Sequence, residues 1–380
     1  MTATEETLDK ILSRIADELN ITQTMQDKAV QSYISVGEWL CDGIDYEPRI
    51  EPQGSMALGT VIRPIDDRDD YDIDLICLLH EGRQLPLSDV KNIVGDRLKE
   101  HERYSRMLEK EGKRCWTLHY DEFHMDILPC VPRRFYQEPY FTEIMLTHKN
   151  EDGWYEARYS NPYAYRKWFE SRMETILFQA KRVYAAEQKV DVTAVPTYKV
   201  RTPLQKVIQL LKRHRDISFQ NDDTDAPISI IITTLAARAY DSEDTTFAAM
   251  KGILGSMEKY IEKRDGEYWI ANPTMPFENF ADKWNFEPAK PKAFARWLQK
   301  AKEEIIPEML PHEGLPAYAE HYQKIFGERP VKRAFSNIGA ESKAARDGNR
   351  LYIEGLSGGL STRKTTDSTP VKPHTFFGSK

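Results

Sequence analysis

Cysteine is scarce in this sequence. Four stand at positions 41, 77, 115 and 130, with no C-x-x-C pair and no histidine at zinc-like spacing. Cys77 and Cys115 sit in strand-like runs and are expected to act as small core residues. Long apolar runs are also missing. No stretch approaches the roughly 18 consecutive apolar residues of a membrane span, and the first ten residues, MTATEETLDK, are polar and acidic, unlike a secretory signal. A cytoplasmic protein without a membrane partner is expected. An excess of positive charge is absent too, since the net charge is −7 at pH 7. That weighs against tracking a nucleic-acid backbone, so no stable nucleic-acid partner is expected. It leaves room for a Mg-triphosphate site, which needs carboxylates for the metal and only a few cations for the phosphates. No G-x-x-x-x-G-K-[ST] occurs, which excludes a P-loop, and there is no internal repeat.

What is present suffices for two domains with separate cores, given 380 residues of which 40% are hydrophobic and 30% charged. Apolar residues recur at helical spacing over 5–19 and 22–40, with Thr22 as N-cap of the second helix. Residues 87–110 have a helical period, and 114–120 and 122–128 read as a strand hairpin that Pro129 and Pro132 end. Behind residue 160 the pattern becomes helical: 165–187, 203–216 with proline in its first turn, 227–240, 246–264 and 291–304. Residues 190–201 read as a linker and 271–276 as a loop. From about 336 the apolar pattern fades into a flexible tail.

The most informative stretch is QGSMALGTVIRPIDDRDDYDIDLICLL, residues 53–79. A Gly54-Ser55 turn precedes six aspartates between Asp66 and Asp74, and the last of these enters an apolar run read as a buried strand. Side chains alternate along a strand, so Asp72 and Asp74 project from one face about 7 Å apart at Cα. Asp66, Asp67, Asp69 and Asp70 precede the strand and are expected to be solvated loop charges. A third carboxylate, Asp126, lies between Met125 and Ile127 in the second strand of the hairpin. If those strands are neighbours, the three carboxylates converge into a site for Mg²⁺, which takes carboxylate, water and phosphate oxygens. Two such ions roughly 4 Å apart support in-line attack of a hydroxyl on a phosphate. Glycine at 54 permits close backbone approach, and N–H groups at the helix start that follows can bind phosphate oxygens. An EF-hand is the nearest alternative. Asp70, Asp72, Asp74 and Glu81 match its positions, but Leu75 stands where that loop requires glycine.

Gly54-Ser55, then Asp72-Ile-Asp74 before an apolar strand, then Asp126 in a later strand together resemble the DNA polymerase beta-like nucleotidyltransferase superfamily. Within it the sequence is similar to the CD-NTase group, the cGAS/DncV-like bacterial enzymes of CBASS anti-phage signalling. Residues 160–162 (Ser-Asn-Pro), the 203–216 helix and residues 272–284 look like features of that group. The resemblance spans residues 22–327. It implies an α+β fold in two lobes with a central cleft: a polymerase beta-like core with a mixed sheet and N-terminal helices (1–165), an oligoadenylate synthetase-like helical domain (166–335) and the tail (336–380). It further implies that Asp72, Asp74 and Asp126 hold two Mg²⁺ ions, with Mn²⁺ as a substitute, and that Asp126 helps deprotonate the attacking ribose hydroxyl. Gln53, Gly54 and Ser55 would contact the donor triphosphate. Lys212, in a helix similar to the lysine-bearing helix of oligoadenylate synthetases, and Ser229 would be further triphosphate ligands. Gln205 and Gln209, on the same helix face, would line the cleft.

The implied activity is synthesis of a cyclic di- or trinucleotide second messenger from ATP, GTP or both, with release of pyrophosphate. Alternatives are a non-cyclising nucleotidyltransferase acting on RNA or a small molecule, or a catalytically inactive partner-binding scaffold. His374 to Gly378, two aromatics in a polar tail, resembles tails that a ubiquitin-transferase-like partner conjugates in some members, although this chain ends in Ser379-Lys380.

Overall fold

The computed structural model describes residues 2–66, 70–134, 142–195, 200–307, 314–354, 360–362, 364 and 366–371. Helix α1 (Ala3–Leu19) opens with a capping box between Thr2 and Glu5, and α2 (Gln23–Gly43) starts from Thr22, whose hydroxyl accepts the Met25 N–H at 3.1 Å. Strand β1 (Pro48–Gln53), the short α3 (Gly54–Leu58) and β2 (Tyr71–Leu79) follow, then α4 (Leu87–Glu100) and α5 (Glu102–Met107). The single helix expected over 87–110 divides at His101, whose ring nitrogen accepts the Tyr104 N–H and starts a new helix.

Strands β3 (Trp116–His119), β4 (Phe123–Pro132), β5 (Ile144–Lys149) and β6 (Tyr155–Ser160) complete a six-stranded sheet in the order β1-β2-β4-β5-β6, with β3 also on β4. Only β2 and β4 are parallel. The proline at 129 does not end β4, as expected, because it falls in a gap. β3 pairs up to Ile127 and β5 begins at Cys130, so no neighbour on that edge requires its missing N–H.

Behind the sheet come α6 (Pro162–Arg172), α7 (Glu174–Gln188), α8 (Pro203–Ser218), α9 (Ser229–Ala239) and α10 (Thr246–Ser256). The helix expected over 246–264 stops at 256 and gives way to a hairpin of β7 (Glu262–Arg264) and β8 (Glu267–Trp269). Its Asp265-Gly266 turn has positive φ at both residues, the requirement of a type I′ turn. The expected loop at 271–276 is a second short hairpin, β9 (Ala271–Asn272) with β10 (Met275–Asn279). Helices α11 (Ala289–Ile305), α12 (Gly314–Phe326) and α13 (Glu328–Asp347) follow, then short strands β11 (Tyr352–Glu354), β12 (Leu360–Ser361) and β13 (Ser368–Pro370). The boundary drawn at 336 thus falls inside α13, whose buried Val331, Ala334, Ile338 and Ala345 keep a helical period beyond it. Lys372 to Gly378, the segment with the partner-like motif, lies outside the described residues. Among the described residues no helix is long and apolar enough to cross a membrane.

Two large cores result. One packs the sheet against α2 and α4, through Val36, Leu40, Val90, Val94 and the inward residues of β2 and β4. The other is helical, and it includes Leu8, Ile11, Leu12, Ile15 and Leu19 of α1 beside Leu204, Ile208 and Leu211 of α8. Sequence order groups α1 with the nucleotidyltransferase core. Its apolar stripe is instead buried against α8, α10 and α13.

Helix α8 joins the cores. It is capped by a Thr202–Gln205 box with Pro203 at its first position. One side of it sends side-chain donors to successive carbonyls of residues 58–64, the segment between α3 and β2. Gln205 Nε2 donates to Leu58 O at 2.9 Å, Lys212 Nζ to Thr60 O at 3.1 Å and Gln209 Nε2 to Val61 O at 2.7 Å. Arg213 donates to the carbonyls of Arg63 and Pro64. Both glutamines are fully buried in this joint and absent from the cleft wall that the sequence suggested for them. Losing a donor to a buried carbonyl costs about 1–3 kcal/mol. Gln209→Leu should therefore lower stability by that amount in denaturant unfolding, and an unchanged midpoint would show that the joint is not stabilising.

Candidate active site

The parallel pairing of β2 with β4 decides the geometry. Asp74 stands opposite Asp126, and Asp72 opposite His124. Directly paired residues share a face, so Asp72, Asp74, Asp126 and His124 form two adjacent rows on one side of the sheet. The antiparallel β3 extends both rows. Thr117 pairs with Asp126 and donates its hydroxyl to Asp126 Oδ1 at 2.5 Å, and His119 pairs with His124. On the other flank β1 places Gln53 opposite Asp74. The chain then turns at Gly54, with φ of +60°, directly over that carboxylate. A Cβ at this position would lie 2.3 Å from Asp74 Oδ2, so glycine is required both for its backbone conformation and for space. Ser55 follows, partly buried, in the first turn of α3.

The three carboxylates repel one another. Burial and the charges of Asp126 and Asp72 push Asp74 up to about 6, while Lys212 opposes the shift. Burial and Asp126 likewise raise Asp72, with His124 and Lys212 pulling the other way. Acceptor-only oxygens held together against their own repulsion suit a hard divalent cation. Lys212 has its ammonium pushed down to about 8, first by burial and then by Arg215, against the attraction of Asp216, Asp74 and Asp72.

A cavity of about 230 Å³ opens beside Asp74. Gln53, Gly54 and Asp74 form one wall, and Asn161, Tyr165 and Asn272 are among the residues across it. Two stretches that the resemblance singled out therefore meet at the cavity beside Asp74, and each has a local structural reason. Asn161 caps α6 by accepting the Ala164 N–H at 3.0 Å, and Asn272 is buried and donates to Glu278 Oε2 at 2.7 Å. Ser229 is placed differently. Its hydroxyl accepts from Arg215 at 3.0 Å, and it lines a separate depression with Arg215, Asp216 and Gln220, not the Asp74 cavity.

Sequence reasoning missed Thr117 and misjudged Asp70. Asp70 is no solvated loop charge, because its side chain is 15% exposed and its Oδ2 lies 2.8 Å from His124 Nε2. Thr117 carried one signal, its place opposite Asp126 in a hairpin whose register could have been counted. Asp67 and Asp69 lie outside the described residues.

A mixed sheet that pairs two aspartate-bearing strands in parallel beneath a glycine turn, backed by a helical lobe, defines a polymerase beta-like nucleotidyltransferase. Comparison with known proteins narrows the class. Residues 6–172 match the family profile of the Second Messenger Oligonucleotide or Dinucleotide Synthetase domain, SMODS. The chain is 28% identical to a c-di-GMP synthase of Roseivirga ehrenbergii, over 98% of this chain and 97% of that one. It is 25% identical to the cyclic dinucleotide synthase CdnG of Bradyrhizobium diazoefficiens, over 98% and 95%. The solved structure of that CdnG with GTP shares the fold, with a TM-score of 0.69 at 23% identity, covering 88% of this chain and 99% of the other. Over that profile and along these alignments the chain is similar to the CD-NTase enzymes.

The Gly54 turn supplies a sharp test. Gly54→Ala forces either the turn or the Asp74 carboxylate to move, and a displacement of about 1 Å at a reacting centre can cost 10²-fold in rate. Nucleotide turnover should fall by that order while the circular dichroism spectrum is retained. Wild-type turnover would show that the turn does not position Asp74.

Proposed function

We propose that this protein is a Mg²⁺-dependent cyclic dinucleotide synthase that uses GTP. The observation that carries the reading is the Asp74–Asp126 pair in parallel register beside Asp72, with Asp74 lining a cavity that Asn161 and Asn272 also line. The choice of GTP draws on the c-di-GMP synthase with which the chain aligns over nearly its full length and on the GTP bound in the CdnG structure.

Asp72, Asp74 and Asp126 would hold the metal, which when bound would supply charge neutralisation on the triphosphate and on the attacking oxygen. The remaining work belongs to the chain. Gly54 and Ser55 bring backbone N–H groups to the donor phosphates, with Gln53 alongside. Lys212 has three donors and spends one on Thr60 O. Its remaining donors, close enough for their charge to act on Asp72 and Asp74, would support the β- and γ-phosphates, whereas Ser229 with Arg215 lies in the separate depression and takes no part in this wall. Thr117 holds Asp126 in a single orientation, and Asp126 takes the proton of the acceptor ribose hydroxyl. The oxygen attacks the α-phosphorus, the bond to pyrophosphate breaks, and pyrophosphate leaves. A second round, with the linear product turned in the cleft, closes the ring. Catalysis is then mostly positioning and electrostatics.

Incubation with all four NTPs and Mg²⁺, followed by mass spectrometry, should yield pyrophosphate and a cyclic dinucleotide built from GTP. Asp72→Asn with Asp74→Asn should reduce product by at least about 10²-fold without loss of fold. Full turnover in that double variant would refute the metal assignment, and linear or RNA-tailed products would replace the cyclising reading with a tailing one. The tail beyond residue 371 would be the site of capture by a ubiquitin-transferase-like partner, and a chain lacking residues 368–380 should then lose that partner in a pull-down while keeping synthesis.

A further inference from the structure

Two histidines lie beside the aspartate triad without a part in it. His119 and His124 are cross-strand partners in the β3–β4 hairpin, with ring centroids 4.3 Å apart and planes at 83°. Their Nε2 atoms converge on one carboxylate oxygen. Asp70 Oδ2 lies 2.8 Å from His124 Nε2 and 3.5 Å from His119 Nε2. Both Nδ1 atoms are turned towards a second carboxylate, with Glu109 Oε1 at 3.6 Å from His119 and 3.5 Å from His124. The three potential ligand atoms, one each from Asp70, His119 and His124, all lie within 4.8 Å of one another.

This arrangement has a direction. A carboxylate on the Nδ1 side favours the proton there and leaves the Nε2 lone pairs facing Asp70, as in the carboxylate–histidine–metal relays that orient imidazole ligands. For bonds of about 2.0–2.1 Å, tetrahedral ligands stand about 3.3–3.4 Å apart; the Asp70–His119 separation of 3.5 Å matches this, and the Asp70–His124 separation of 2.8 Å has to widen by about half an ångström when an ion enters. The nitrogen-rich set suits zinc-class ions over Mg²⁺, which prefers oxygen.

We propose that Asp70, His119 and His124 form a binding site for a zinc-class transition-metal ion, separate from the aspartate triad, with Glu109 orienting both imidazoles. His124 stands opposite Asp72, and Asp70 is two residues before Asp72, so the ion ties the residue that leads into β2 to the hairpin that carries Asp126. It fixes the entrance of β2, one row from the catalytic carboxylates. The inference rests on the local geometry alone and stands whichever nucleotides the protein uses.

The test is a cobalt titration of the chelator-treated full-length protein without Mg²⁺ or nucleotide. The parent should bind Co²⁺ with the intense visible absorption of a tetrahedral centre, and Zn²⁺ should displace it. Asp74→Asn with Asp126→Asn should keep that spectrum. His124→Gln should weaken Co²⁺ binding by about 10²-fold, and Glu109→Gln by 10- to 100-fold, the effect typical of an orienting carboxylate. Because His124 lies on a central strand, the exposed His119→Asn provides a second variant that spares the fold, and it should also lose the tetrahedral spectrum. The proposal is overturned if the tetrahedral absorption is absent from the parent, if it survives both histidine variants, or if it disappears with the triad substitutions.

Discussion

The site depends on a set of side-chain donors aimed at backbone carbonyls. Residues 58–64 connect the glycine turn to the aspartate strand and form no regular structure after α3, so their carbonyls have no ladder to join. Helix α8 provides the partners, with Gln205, Gln209, Lys212 and Arg213 donating to Leu58, Thr60, Val61, Arg63 and Pro64. Arg63 N–H is in turn held by Leu19 O at the end of α1 at 2.7 Å, and Asn20 accepts from Gln209 at 2.7 Å. The helical lobe thereby fixes this segment from Leu58 to Pro64. The N-terminal helix belongs to it for the same reason, since it buries its apolar stripe there and ends at the joint.

The same joint brings opposing charge to the site. Lys212 reaches Thr60 O from the buried side of α8, and its electrostatic pull on Asp72 and Asp74 partly offsets the repulsion that raises both carboxylates. A triphosphate bound with divalent cations would complete that balance. The cluster is poised to gain more from cations than an isolated surface aspartate could, because Asp74 and Asp126 are half-buried and the carboxylates act on one another across paired strands.

Much of this was legible in the sequence where the signal is local. The two N-terminal helices, the short turn at 54–58, the aspartate strand, the Asp126 strand and the buried α9, despite its Ile-Ile-Ile-Thr-Thr run, follow from period, caps and length. Signals that depend on pairing were not legible. Nothing in the composition says that β4 would run past Pro129, that Gln205 and Gln209 would be consumed in a lobe joint, or that Asp70 would meet two histidines. Each follows from a register or a packing partner far away in the chain. Ser55, Lys212 and Ser229 show the limit of resemblance: it names positions, whereas the fold puts Ser229 in a depression apart from the Asp74 cavity.

The central claim is that Asp72, Asp74 and Asp126 hold the cations that bring a nucleotide to the glycine turn. Anomalous diffraction from crystals grown with Mn²⁺ and a non-hydrolysable GTP analogue addresses it directly. The account predicts Mn²⁺ peaks at roughly 2.0–2.3 Å from oxygens of all three aspartates, with bound phosphates between them and the Gly54 turn. Manganese confined to other residues, or a nucleotide bound away from Gly54, would contradict it.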